Sequence, residues 1–168
     1  MIYIYNCYGG THSSALAAAY HLNKLSDHKE PTKDEILKID VFNKLTTKDM
    51  GKLFFHGNDE EGNKVYTLGR GSSKVIVPAM YSVFELFNDT GKLDEKIIFS
   101  NTSPIVPLAM TFGGLFSRRL KIHFIGVPLL ISGAKKAHKD IIKLVQHTKD
   151  MGKATTSKIE ILDNAFGK

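Results

Sequence analysis

Short apolar runs alternate along this chain with longer stretches that have apolar residues at helical spacing. The short runs, rich in β-branched and aromatic residues, predict five strands, at residues 2–5, 52–56, 64–68, 96–100 and 121–125. The longer stretches predict five helices, at residues 13–25, 32–44, 72–87, 104–118 and 134–151. Residues 158–162 fit either a late edge strand or an ordered tail. Alternating strands and helices indicate an α/β protein.

The connection at residues 57–63 breaks this alternation because it is too short to hold a helix. It predicts a hairpin, so the second and third strands are antiparallel. Right-handed crossovers make the remaining strands parallel. We therefore predict one domain over residues 1–168. It is a three-layer Rossmann-like sandwich with a mixed five-stranded, mostly parallel sheet and one antiparallel strand.

Composition narrows the class of protein. The longest apolar runs of this 168-residue chain are short and interrupted, which excludes a membrane-spanning helix, and we expect no membrane partner. The first residues form a strand pattern without a basic leader, and the single cysteine cannot form an internal disulfide. We expect a cytoplasmic protein.

The formal net charge of +6 comes largely from lysines in the C-terminal part of the chain. A cationic surface favours anionic partners, although lysines at helical spacing also serve as a solvated helix face. No aromatic residues are interleaved with these lysines, so we do not expect a nucleic-acid partner. A small anionic ligand is the expected partner.

The candidate site lies where the parallel strands end, because ligands of open α/β sheets bind outside the carboxyl ends of the strands. Four loops are predicted there, at residues 7–13, 69–73, 101–104 and 126–128. His56 ends the antiparallel strand and should lie at the opposite edge, so we leave it out. The predicted anion-binding residues are Gly9, Gly10, Thr11, Ser13, Ser14, Arg70, Gly71 and Ser72, with Asn101 and Thr102 as secondary candidates.

Cys7 and His12 are the candidate catalytic residues. Cys7 ends the first strand just before a Gly-Gly turn and a helix start, where N–H groups and the helix dipole lower a thiol pKa. A buried cysteine is also commonly just a small apolar side chain, and His12 an exposed loop residue. His12 could stabilise the thiolate or transfer a proton. Two such ligands are too few for a metal site, and no cofactor is predicted.

Two nucleotide-binding motifs are missing from the predicted loops. No Gly-Lys-Ser/Thr triplet occurs, and the loops carry no carboxylate to hold magnesium. The turn at residues 69–71 lacks the third glycine of a dinucleotide fingerprint.

The pattern Cys-x-x-Gly-x-x-Ser-Ser, which begins at Cys7, resembles the phosphocysteine loop of the IIB components of the sugar phosphotransferase system. This resemblance covers eight residues. It implies that Cys7 accepts a phosphoryl group while backbone amides and Ser13 or Ser14 hold the phosphate oxygens. The related loop of low-molecular-weight tyrosine phosphatases has an arginine six residues after the cysteine, where this chain has Ser13. Arg70 could supply that guanidinium if the two strands are neighbours.

A wider resemblance combines the opening Tyr-x-Cys-Tyr-Gly-Gly-Thr-His-Ser-Ser-Ala with the segment at residues 55–71. Together they are similar to a bacterial family of domains of unknown function, of about this length. The resemblance implies a bacterial cytosolic protein and no established activity.

The sequence therefore predicts a phosphate-binding loop at residues 7–14, with Cys7 as a nucleophile in phosphoryl transfer or hydrolysis. The alternatives are a non-catalytic ligand-binding or regulatory module, and a thiol redox sensor. We expect the apolar residues around 80–87 and 108–116 to belong to the core or to a subunit interface. A homo-oligomer is therefore kept as an alternative to a monomer.

Overall fold

Five strands form one mixed sheet. The computed structural model describes residues 1–165, and within them the strands lie in the order β2-β3-β1-β4-β5. The strands are β1 (Ile2–Cys7), β2 (Leu53–Asn58), β3 (Lys64–Gly69), β4 (Ile97–Asn101) and β5 (Ile159–Leu162). Strand β2 is antiparallel to β3 at one edge, and the other pairs are parallel. The α/β class and the mixed five-stranded sheet are confirmed.

Helices cover both faces of the sheet. They are α1 (Ser13–His21), α2 (Lys33–Lys38), α3 (Ile76–Asp89), α4 (Leu108–Gly114) and α5 (His123–Ala154). A π-helical segment, Leu115–Arg119, follows α4, and short 3-10 turns occur at Thr47–Asp49 and Ser103–Ile105. A capping box between Thr32 and Glu35 starts α2. The helix ends well before residue 44, where Val41 and Asn43 adopt left-handed backbone conformations.

Two apolar layers hold the sheet. The larger one contains α1, α5 and the side chains of Tyr3 and Tyr5, and every residue of α1 is buried in it. Four alanines allow α1 to fit between the sheet and α5. The smaller layer joins the opposite face, including Ile4 and Phe99, to the inner side of α3. The start of α1 is thus fixed against the sheet just after β1.

The predicted strand at residues 121–125 is wrong. Lys121 lies in a turn with a left-handed backbone, and α5 begins two residues later. The predicted loop at residues 126–128 is therefore a helical segment and not part of the site edge. The fifth strand is β5, which matches the edge-strand interpretation of residues 158–162.

Glycines let this helical segment pack closely against the helical segments that precede it. A methyl group on Gly126 would lie 2.4 Å from the backbone nitrogen of Ser117, and one on Gly133 would lie 2.7 Å from that of Met110. Gly113 approaches the backbone of Leu130 equally closely. These contacts bring α4 and the first half of α5 together as a tight helical hairpin.

No helix in the described part of the chain is long and apolar enough to cross a membrane.

Candidate functional site

Cys7 is the last residue of β1, and its sulfur lies under the start of α1. The Gly10 N–H donates a hydrogen bond to Sγ at 3.2 Å, and the Ser14 hydroxyl lies 3.2 Å from the same atom. Only 5% of Cys7 is exposed. The thiol is therefore almost fully buried and is held by polar groups of the loop.

This environment favours the thiolate. Burial raises the pKa of Cys7, but hydrogen bonds from Ser14, Ser13 and the Gly10 N–H outweigh burial and hold the pKa below its ordinary value. His12, the residue before α1, provides no side-chain cap for the helix. The N–H groups of Ser14 and Gly10 bond the sulfur instead, and the positive end of the helix dipole lies beside it.

Two glycines let the turn after Cys7 approach the end of β3. Gly10 has a left-handed backbone, with φ of +66°, and a methyl group on it would lie 2.5 Å from the backbone nitrogen of Gly69. A methyl group on Gly69 would lie 2.8 Å from the backbone of Gly9. Only glycine fits this contact, which fixes the direction of the Gly10 N–H toward the sulfur.

The hydroxyl groups of the loop fall into two sets. The Thr102 hydroxyl donates to the Asn6 carbonyl at 3.1 Å and lies 2.9 Å from Ser13 Oγ, which links the loop to the end of β4. The Thr11 hydroxyl instead donates to the Val41 carbonyl and accepts the Lys44 N–H. Ser13, Ser14 and Thr102 are thus grouped near Cys7, whereas the Thr11 hydroxyl holds the segment after α2.

The side chain of His12 points to Asn43 and Phe42 and not to Cys7. Its Nε2 atom lies 3.3 Å from Asn43 Oδ1, and its ring packs edge-on against Phe42. Burial lowers the pKa of His12 to about 4, assisted by the charge of Arg118, although the hydrogen bond with Asn43 opposes this. The imidazole is therefore neutral near pH 7, and its role in catalysis stays a prediction.

Arg70 follows β3 and reaches over the end of β1 to the end of β4. Its Nη2 atom donates to Ser103 Oγ at 3.0 Å and lies 3.5 Å from Asn101 Oδ1. Because β1 lies between β3 and β4, this side chain crosses the end of the strand that carries Cys7. Within residues 1–165, Arg70 forms no ion pair with a carboxylate. The hydrogen-bond partners of the guanidinium are therefore neutral side chains.

Strand alternation separates the guanidinium from the thiol. Successive side chains of a strand point to opposite faces of the sheet. Cys7 is on the same face as Tyr3 and Tyr5, which α1 covers. Asn101 is on the same face as Phe99, which α3 covers. The end of β1 therefore lies between Arg70 and Sγ. The loops at 7–14, 69–73 and 101–104 contain no aspartate or glutamate, so both groups border the same carboxylate-free edge.

Gly71 and Ser72 complete the turn after β3. Gly71 has φ of +58° and donates its N–H to the Tyr8 carbonyl at 2.8 Å, which holds this turn against the Cys7 loop. Ser72 is exposed. Among the described residues there is no group of three or more His, Cys, Asp or Glu side chains placed to hold a metal ion.

A second buried polar cluster, missed by the sequence analysis, lies toward the opposite edge of the sheet. His21 Nε2 lies 3.0 Å from Asp59 Oδ2, and His21 Nδ1 lies 2.7 Å from the Tyr5 hydroxyl. Burial lowers the pKa of His21 to about 4, so the neutral ring donates from Nε2 to the carboxylate and accepts from Tyr5. Residues at positions 5, 21 and 59 give no spacing signal in the sequence.

His56, left out of the site, is buried and lies 2.9 Å from Thr67 Oγ1.

The fold and this edge define an α/β protein with a cysteine at a strand-to-helix turn. The chain belongs to the family described as "Protein of unknown function (DUF3189)", whose model matches residues 2–150. The expected membership in a family of unknown function is thereby confirmed. No curated protein and no solved structure matches the chain.

Proposed function

We propose that the loop at residues 7–14 binds an anion, best matched by the phosphate of a small molecule, and that Cys7 acts on it as a thiolate nucleophile. The observation that carries this proposal is the convergence of donors on one sulfur atom. The Gly10 N–H and the Ser14 hydroxyl both lie 3.2 Å from Sγ, at the start of α1. The same donors suit a thiolate and the oxygen atoms of a phosphate.

The surrounding charge supports an anionic ligand. The edge formed by the three loops has no carboxylate, and Arg70 crosses it without an acidic partner among residues 1–165. A guanidinium in such a position lowers the energy of a bound anion and of charge that develops on it.

In the proposed reaction, Sγ attacks phosphorus in line with the leaving oxygen. The thiolate electron pair forms the S–P bond, and the P–O bond breaks with its electrons on the leaving oxygen, which takes a proton from water. Attack of water on the phosphocysteine then releases phosphate and restores the thiolate. The proposed role of the loop N–H groups is to stabilise the charge on the phosphoryl oxygens, and Arg70, on the other side of the end of β1, adds positive charge to the same edge.

Alkylation of Cys7 tests the anion site directly, because Cys7 is the only cysteine. We expect inorganic phosphate to slow the reaction of iodoacetamide with Cys7 in a saturable manner. Arg70→Gln should weaken this protection several-fold, since the edge loses one positive charge. Lys139→Gln, at an exposed lysine on α5, is the control. Protection that is absent in the wild type would refute the anion site.

A non-catalytic binding module is the second candidate, favoured by the contact of His12 with Asn43, which directs the imidazole to a partner other than the sulfur. The two candidates differ in covalent chemistry. A nucleophilic Cys7 should gain one phosphoryl group from acetyl phosphate, visible by intact mass spectrometry and absent in Cys7→Ser. Phosphate binding in both proteins without this adduct would support the binding module.

A further inference from the structure

The hairpin of α4 and α5 ends in a surface that the proposed function does not use. We call residues 118–125 the hairpin tip. Phe124 is 81% exposed and Leu120 is 51% exposed, while Leu108, on α4, is 75% exposed. Phe124 and Leu108 are the two most exposed large apolar side chains in the described chain. The exposure of Leu120 and Phe124 at one end of the hairpin indicates a contact surface and not a core.

Apolar exposure continues along both helices of the hairpin. Leu108, Phe112 and Leu115 follow each other at four- and three-residue spacing, so they share one side of α4. Along α5, a groove of about 670 Å³ has an apolar floor that includes Val127 and Ile131. The sequence predicts core or interface for the apolar residues around 108–116. Only part of that set, such as Met110, is buried.

The hairpin tip itself carries positive charges and no carboxylate. No aspartate or glutamate occurs between Glu95 and Asp140, a stretch that includes the whole hairpin tip. The tip carries Arg118, Arg119 and Lys121, and the groove beside it is lined by Lys33, Lys135 and Lys136 together with Glu30, which pairs with Lys135 at 2.9 Å. The positive end of the dipole of the 32-residue helix α5 lies at the same place. An occupant that covers the apolar residues must therefore be anionic at their border.

We propose that the hairpin tip docks on an anionic lipid surface. Leu120 and Phe124 enter the boundary between headgroups and acyl chains, and the arginines and lysine bind lipid phosphates. This combination of exposed apolar side chains with bordering cations is how interfacial elements bind membranes. A second copy of the chain fits less well, because two-fold pairing of this surface would bring its cations together.

This inference revises the expectation that the chain has no membrane partner. That expectation came from the lack of a long apolar run, which bears on spanning helices only. A hairpin tip reaches one leaflet with a few side chains, and the hydrophobic pattern along the sequence does not distinguish those side chains from core residues.

Vesicle binding tests the proposal with the full chain. We expect co-sedimentation with vesicles of equal parts phosphatidylcholine and phosphatidylglycerol, and none with phosphatidylcholine alone. Sodium chloride at high concentration should release the protein, because exposed charges are screened. Free inorganic phosphate at matched ionic strength should not compete, which separates a lipid surface from the proposed anion site at Cys7.

Paired variants locate the contact. Leu120→Ser with Phe124→Ser should weaken vesicle binding at least tenfold, since each side chain loses its apolar burial. Val83→Ser with Leu86→Ser removes similarly exposed residues from α3 and should leave binding unchanged. Arg119→Gln with Lys121→Gln should weaken binding, whereas Lys139→Gln with Lys143→Gln, at exposed lysines farther along α5, should have a much smaller effect.

Three results would overturn the proposal. The first is equal binding of the tip variant and the α3 variant. The second is a wild-type dimer in light scattering that the tip variant converts to a monomer, which would make the surface an interface between copies. The third is binding to soluble polyglutamate without binding to vesicles, which would indicate an acidic protein partner.

Discussion

The Ser14 hydroxyl lies 3.2 Å from the sulfur of Cys7, although the whole strand-to-helix turn separates the two residues along the chain. Strand β1 ends at one of them, and α1 begins one residue before the other. The contact therefore depends on how the turn brings the helix start back over the strand end. It provides a local reason for a thiol with a lowered pKa.

We predict that Ser14→Ala raises the pKa of the Cys7 thiol, because the thiolate loses a hydroxyl donor while its burial is unchanged. The rate of alkylation measured against pH should shift its midpoint upward. Ser132→Ala, at an exposed serine on α5, should leave the midpoint in place. An unchanged midpoint in Ser14→Ala would mean that the hydroxyl does not stabilise the thiolate.

Gly10→Ala should lower the free energy of unfolding by about 2–4 kcal/mol. The added methyl group would lie 2.5 Å from the backbone nitrogen of Gly69, and the left-handed backbone adds strain. Gly62→Ala is the matched control, since Gly62 has φ of +79° but open space around it. The control should cost only about 1 kcal/mol in urea unfolding. Equal losses in both variants would show that the close approach of the two turns is unimportant.

The strand that carries Cys7 and the turn that follows it could be predicted from the sequence because their signals are local. A β-branched and aromatic run ends at Cys7, and Gly9, Gly10 and the serines mark a turn and a helix start. The same local reasoning failed at residues 121–125. There the alternating pattern resembles a strand, but the segment leads into α5, which packs through Gly126 against Ser117.

The partners of the site side chains could not be predicted, because they depend on long-range contacts. Thr11 bonds to the segment after α2, and His12 lies beside Asn43, which is 31 positions away. The location of Arg70 and Asn101 at the same edge as Cys7 did follow from the parallel direction of their strands. Which side of β1 each occupies depends on the register of the sheet.

The stability of the protein should fall as the pH is lowered from about 7 to 4. Burial lowers the folded-state pKa of His21 to about 4, below its ordinary value of 6.5. Between these values the unfolded chain binds a proton that the folded chain does not, so acid favours unfolding. The contribution of His21 is on the order of 3 kcal/mol, and it is fully lost below pH 4. Burial lowers the pKa of His56 to about 4 as well, which acts in the same direction.

Urea unfolding between pH 8 and pH 4 measures this effect. His21→Gln should be less stable than the wild type at pH 8, because Tyr5 and Asp59 lose their shared partner, but its stability should depend less on pH. His28→Gln, with a 92% exposed side chain, should follow the wild type. A slope in His21→Gln as steep as in the wild type would rule out His21 as a source of the acid sensitivity.

The pH dependence of Cys7 alkylation in the wild-type protein tests the central claim most directly. The donors around Sγ predict a rate that reaches half its maximum below pH 8.5, the approximate pKa of a free cysteine. A midpoint at or above that value would contradict the account, because it would identify Cys7 as an ordinary buried thiol.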